Sequence, residues 1–111
     1  MIKKRIDDFK GGWFIGSFEP TLLKTDVFEV AYKMHRKDEL WPKHYHAIAT
    51  EYNCLVLGSM TVNGETINQG DVFVIYPGEI SEPKFLEDCH IMVVKTPSLI
   101  GDKYETQEKK V

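Results

Sequence analysis

Two histidines one residue apart, His44 and His46, followed by Glu51 and then Gly58, are the residues of this chain whose types and spacing could do chemistry. If residues 44–48 run extended, alternate side chains fall on the same side of the strand, so the two imidazoles project together and Tyr45 points away. Ala49 and Thr50 make a short step into the apolar run at 52–57, and a reversal there would carry the Glu51 carboxylate back over the pair. Two imidazoles and a carboxylate on one side of a divalent ion leave the remaining coordination positions to water or substrate, as in mononuclear non-haem iron sites. A His-x-His pair alone is a common pattern. The glutamate and the strand context turn it into a metal expectation.

The elements that must position these groups are short strands. Residues 27–34 alternate, with Phe28, Val30, Tyr32 and Met34 on one side and Glu29 and Lys33 on a wetter one. His35 to Glu39 forms a charged loop in which His35 is expected to be solvated, and Trp41-Pro42 closes it before the histidine strand. Residues 52–57 are apolar on both faces, the pattern of a strand buried between two layers, and Gly58 ends or bends it. Between 59–62 and 65–67 stands Asn63-Gly64, the dipeptide that best tolerates the positive backbone angles of a two-residue hairpin turn. Residues 72–75 predict another buried strand and 89–95 a further one, ending at Thr96-Pro97-Ser98. No long segment has a helical period. Short strands separated by turns therefore predict an all-β sandwich or barrel, with the acid and the histidine pair aimed into its mouth.

With 111 residues, 42% hydrophobic and 28% charged, the chain suits one domain with one core. We divide it into an arm packing on the barrel (1–26), the barrel itself (27–98) and a charged, aperiodic tail (99–111) that is frayed or packed as a strap. A net charge of -3, with lysines scattered among acids, lacks the basic stripe that neutralises phosphates, so nucleic acid is not an expected partner. No apolar run approaches a membrane span, and the reading is of a cytoplasmic protein. Cys54 and Cys89 lie in apolar runs and are expected as small buried hydrophobes of a reducing compartment rather than a disulfide.

The residues from His44 to Gly58, reading His-x-His, four residues, Glu, six residues, Gly, resemble the first motif of the cupin superfamily, although no glycine precedes them in Trp41-Pro42-Lys43. Gly70 to Gly78, ending Tyr76-Pro77-Gly78, resembles the second. The short distance between the motifs matches small single-domain cupins of the cupin-2-like kind. The segments 11–16 and 93–98, with Asp102-Lys103-Tyr104, are also similar to small stand-alone cupins of bacteria and phages, some near sugar-modifying genes. The resemblance implies an all-β double-stranded β-helix, a jelly-roll barrel with short or no helices. It also implies metal ligands at His44, His46 and Glu51, with Fe, Mn, Ni or Zn as the divalent ion. Two departures matter. Tyr76 stands at the first proline of the second motif, and Ser81 stands where a fourth, histidine ligand is usual, with Phe85 at a later asparagine position. His90 could substitute for that ligand; Glu79 and Glu82 are read as solvated acids.

Two functions stay open. In one, the ion acts as a Lewis acid or oxygen-activating centre of an isomerase, epimerase or dioxygenase-type enzyme acting on a small polar, sugar-like molecule. Ser81, Tyr76, Phe85, His90 and Trp41 are then candidates to touch substrate, with Trp13, Phe18 and Tyr45 as further aromatic walls. In the other, the domain binds or senses a small ligand without turning it over, or serves as a dimerisation module, the metal site being degenerate. A homodimer is expected in either case, with an exposed strand edge or an arm of one subunit capping the other.

Overall fold

The computed structural model describes residues 1–106 of the chain. Among the described residues the only helices are two single turns, Ile6–Asp8 and Lys10–Gly12, and there are ten short strands. These are β1 (Trp13–Ile15), β2 (Glu29–His35), β3 (His44–Tyr45), β4 (Thr50–Leu57), β5 (Ser59–Val62), β6 (Glu65–Asn68), β7 (Val72–Ile75), β8 (Pro83–Phe85), β9 (Cys89–Thr96) and β10 (Tyr104–Glu105). One wall is a five-stranded sheet in the order β1-β2-β9-β4-β7. The facing wall consists of the sheet β6-β5-β8 and the ribbon β10-β3. A bridge between His44 and Ser81 links that ribbon to the segment entering β8. Every pairing between these strands is antiparallel. The expected all-β jelly-roll barrel is therefore the fold observed.

Local chemistry accounts for the turns. Asn63 (φ 54°) and Gly64 (φ 81°) both take positive angles between β5 and β6, the two-residue hairpin expected from the sequence. Gly58, between β4 and β5, has φ 94°, and a Cβ there would stand 2.3 Å from the Asp88 carbonyl oxygen. Only glycine lets the chain pass that carbonyl.

Between the walls lies the apolar core, with Leu55, Met60 and Cys89 fully enclosed and Ala31, Val62, Ile67, Ile75, Phe85, Ile91 and Val93 packed around them. The strand register decides what joins this core from the five-stranded sheet. Glu29 of β2 lies opposite Lys95 of β9, and Lys95 opposite Glu51 of β4, so a row of three charges crosses the inner face. The wetter face of β2 is consequently the inward one, and Val30, Tyr32 and Met34 face outward, with Met34 51% exposed. The reason is that the barrel interior is a lined cavity and not a continuous apolar core. Residues 52–57 and 72–75 also depart from the expected double burial: Tyr52, Val56 and Val72 are exposed on the outer face, β7 being the sheet's edge. Cys89 is buried as expected, while Cys54 is half-buried.

Segments on both sides of the barrel strands join its walls. The arm contributes β1 to the large sheet, and residues 99–106 form a strap whose strand β10 pairs with β3. The rest of the expected tail, 107–111, lies outside the described residues. No described helix is long and apolar enough to cross a membrane.

Replacing Gly58 by alanine is expected to lower stability by about 1–3 kcal/mol through left-handed strain and the carbonyl clash. Gly64→Ala meets no atom within 4 Å and retains only the strain. Thermal unfolding of the two variants side by side checks this; a melting temperature equal to wild type for Gly58→Ala would contradict it.

Candidate functional site

The bend after β3 leaves the N–H groups of Ala47, Ile48 and Ala49 without strand partners, and the Asp102 carboxylate of the strap accepts all three. Its Oδ1 takes Ala47 at 3.0 Å, its Oδ2 takes Ala49 at 2.9 Å, and Ile48 reaches both. The carbonyl of the same residue accepts the His46 Nδ1–H at 2.5 Å. Asp102 is 6% exposed. Its burial pushes the carboxyl pKa up, but the N–H groups of Ala49, Ile48 and Ala47 and the nearby His46 outweigh that and hold it below the usual aspartate value. Sequence reasoning missed this residue because nothing near position 102 signals a ligand; its partners are more than fifty residues away.

His44 is anchored in the same way, its Nδ1–H donating to the Pro42 carbonyl at 3.2 Å. The two imidazole centroids are 5.4 Å apart, with the ring planes at 80°. With both Nδ1 atoms committed, each ring offers its Nε2 as the remaining donor atom, the arrangement that fixes tautomer and orientation in metal-binding histidines. Burial, with Lys103 and His46 nearby, lowers the His44 pKa against the opposing effects of Pro42 and Glu51, so this ring is neutral at neutral pH. Glu51 projects from β4 with its Oε2 3.3 Å from His46 Nε2. Burial would raise its carboxyl pKa; His46, Asn53 and Lys95 outweigh burial and keep it below the ordinary glutamate range. A carboxylate oxygen facing an imidazole nitrogen whose ring already donates from Nδ1 calls for a positive charge there, either a second ring proton or a cation.

His44, His46 and Glu51 line one cavity of about 420 Å³, and Trp41, Ser81 and Phe85 line it too. The other two candidates lie elsewhere. Tyr76 is exposed at a turn where its N–H bonds Glu79, and His90 sits on the outer sheet face with Nδ1 2.7 Å from the Tyr32 hydroxyl. His90 is therefore not brought to the histidine pair. Ser81 is held through its backbone, exchanging two hydrogen bonds with His44 of 3.1 and 2.7 Å.

His35, expected in solvent, is buried. Its ring stacks on Phe85 at 4.2 Å, and its Nδ1 lies 2.6 Å from Glu39 Oε2, which also accepts the Trp41 indole N–H. Burial lowers the His35 pKa more than Glu39 raises it. The alternation of Glu29, Lys33 and His35 was the available signal for this wall, and it points inward. Lys33, Lys95 and, from the strap, Lys103 also line the cavity, as does Lys10.

The donor types favour a metal more than their arrangement does. Two carbonyl-anchored imidazoles and an ionised carboxylate fit a divalent ion chemically. Among the described residues, however, no three His, Cys, Asp or Glu side chains stand as a ready cage.

No family model matches the chain and no curated protein matches it. Solved structures do. A Klebsiella pneumoniae protein with a double-stranded β-helix domain superposes with TM-score 0.69 at 15% identity, over 96% of this chain and 92% of that one. A cupin-2 domain protein of Shewanella frigidimarina gives 0.53 at 20% identity, over 65% and 72%. The Escherichia coli pirin YhhW in complex with nickel(II) gives 0.65 at 18% identity, over 78% of this chain but 39% of that one. The chain has the double-stranded β-helix fold of the cupins.

Asp102→Ala is expected to lower stability by about 1–3 kcal/mol, since it strands three backbone donors, and the measure is the midpoint of denaturant unfolding. A pH effect follows from His35. Its folded pKa lies below the unfolded value of about 6.5, so on acidification the unfolded chain takes up the proton first and stability falls as pH drops below that value. His44 adds an effect of the same sign. Melting of chelator-treated protein from pH 7.5 to 5 should show the fall, reduced in His35→Asn; an identical slope in that variant would contradict the assignment.

Proposed function

We propose that this protein is a small-molecule-binding cupin whose cavity takes a polar ligand beside a divalent ion held by His44, His46 and Glu51. The observation behind this reading is the anchoring of both imidazoles through Nδ1 to backbone carbonyls, with an ionised carboxylate facing His46 Nε2. Such anchoring serves to present Nε2 lone pairs to a ligand. The nickel-bound pirin of similar fold supports an ion at a barrel of this kind. When bound, the ion would supply Lewis acidity, polarising an oxygen of the ligand.

The chain's own groups would do the rest. Glu51 keeps its negative charge, offsetting part of the cation's. Neutral His44 contributes a lone pair without electrostatic opposition. Trp41 and Phe85, joined through the His35 ring, wall the cavity, with Trp41 5.3 Å and Phe85 4.2 Å from that ring by centroid. They would exclude water from one side of a bound molecule. Ser81 offers a neutral hydroxyl where a fourth ligand is usual, so a position is left for a ligand oxygen.

A second reading, a binding module that uses no metal, is favoured by the absence of a ready three-donor cage among the described residues. In that case the Glu51 carboxylate faces the His46 ring directly.

The two readings separate on metal binding. Chelator-treated protein given Fe(II), Mn(II), Ni(II) or Zn(II) should bind one ion per chain and melt several degrees higher. Saturating a site at a hundred times its dissociation constant adds about 2.7 kcal/mol. His46→Ala and Glu51→Ala should abolish the gain. Absence of stoichiometric metal, with melting unchanged by any of the four ions, would remove the metal from the proposal and leave the binding module.

A further inference from the structure

Four lysines line the cavity, Lys10, Lys33, Lys95 and Lys103, and the last three are not equivalent. Lys95 is buried and satisfied: its Nζ lies 2.8 Å from Glu29 Oε1, and the other oxygen of that carboxylate accepts the Ser98 hydroxyl at 3.0 Å. Lys33 and Lys103 make no ion pair with a described residue. Lys33 donates a long hydrogen bond of 3.4 Å to the Gly11 carbonyl, and both ammonium groups lie against indoles. Lys33 is 5.5 Å from the Trp13 ring and 5.0 Å from the Trp41 ring, and Lys103 is 4.4 Å from the same Trp41 ring. The two cations reach Trp41 from different parts of the fold, Lys33 from the inner face of β2 and Lys103 from the strap at the cavity mouth.

An indole face holds an ammonium group in place but supplies no counter-charge, and two like charges beside one ring repel. Glu51 and Glu39 raise the Lys33 pKa, and Glu105 and Glu51 that of Lys103, but none of these acids makes an ion pair with either lysine, and Glu51 is engaged by His46 and Glu39 by His35. Desolvation dominates at both lysines and, with their mutual repulsion at Lys33, leaves the pKa of each below the usual lysine value. A partly dehydrated cation pair that faces a cavity and makes no direct ion pair is stabilised by an anion entering that cavity.

We infer that the molecule bound here is a small anion, a carboxylate or phosphate compound, whose charged group is received between Lys33 and Lys103 beside Trp41. This rests on the reading of the cavity as a small-ligand site and not on the presence of a metal. The anionic group would sit at the wall made by β2 and the strap, leaving the uncharged remainder facing the His44–His46–Glu51 wall.

The test uses the full chain after chelator treatment, so that binding does not depend on the metal site. Indole fluorescence is titrated at low ionic strength with citrate, succinate, inorganic phosphate and pyrophosphate, and with erythritol as an uncharged control. At least one anion should change the fluorescence saturably, with erythritol silent. Lys33→Gln and Lys103→Gln should each weaken that binding by roughly ten-fold or more, Lys103→Arg should retain most of it, and Lys84→Gln, on the exposed β8, should leave it unchanged. Whether carboxylates or phosphates bind more tightly identifies the source of the charge. Lys103 is itself an exposed residue, so its variant tests the inference even if Lys33→Gln fails to fold. Absence of saturable binding by all four anions, or equal affinity in Lys103→Gln and wild type, would overturn it. Erythritol binding with the anions silent would overturn it too while preserving the cavity as a ligand site. Metal uptake, measured separately, is unaffected by either result.

Discussion

One carboxylate sets the geometry on which the site depends. The chain bends between β3 and β4, and at that bend three successive backbone N–H groups lose their strand partners; Asp102 accepts all of them and its own carbonyl fixes the His46 ring. Unmet, such donors in a bend that is buried at Ala49 and exposed at Ile48 would be destabilising, and the bend would relax toward solvent. Met in this way, they pin the strap to the barrel. The strap in turn carries Lys103 to Trp41, so the histidine pair and the cationic wall share a single anchor.

The inner face of the five-stranded sheet follows a second constraint. Glu29, Lys95 and Glu51 lie side by side across β2, β9 and β4, alternating in sign. Charges removed from water are tolerated when each meets an opposite charge and its remaining hydrogen-bonding capacity is filled. The Glu29–Lys95 pair, completed by the Ser98 hydroxyl, satisfies that condition. Glu51 meets His46, while Lys33 and Lys103 make no ion pair with a described residue and lie against indole faces, Lys33 also donating to the Gly11 carbonyl. The polar part of the cavity thus holds a closed ion pair on the Glu29 side, and near Trp41 two ammonium groups together with the Glu39 carboxylate that accepts its indole N–H.

Aromatic contacts connect these two regions. Phe85 stacks on His35, His35 meets Trp41 edge to face, and Trp41 lies 6.4 Å from His44. Glu39 accepts from both the His35 ring and the Trp41 indole, fixing their relative orientation. The rigid chain of rings keeps the position of Trp41, and with it the two ammonium groups, in register with the imidazoles.

What the sequence determined by itself was most of the strands, β2 to β7 and β9 but not β8 or β10, the hairpin at Asn63-Gly64, the jelly-roll class and the three candidate ligands, because strand alternation, turn angles and the His-x-His…Glu…Gly spacing are local properties. The tertiary structure decided which face of each strand is inside. Alternation along β2 separates Glu29, Lys33 and His35 from Val30, Tyr32 and Met34 whichever way the strand is turned, and only packing against the facing wall chooses. It also decided the part played by Asp102 and Lys103: the Asp102 carbonyl meets a ring 56 residues away, and no local pattern encodes a contact made across the closed barrel.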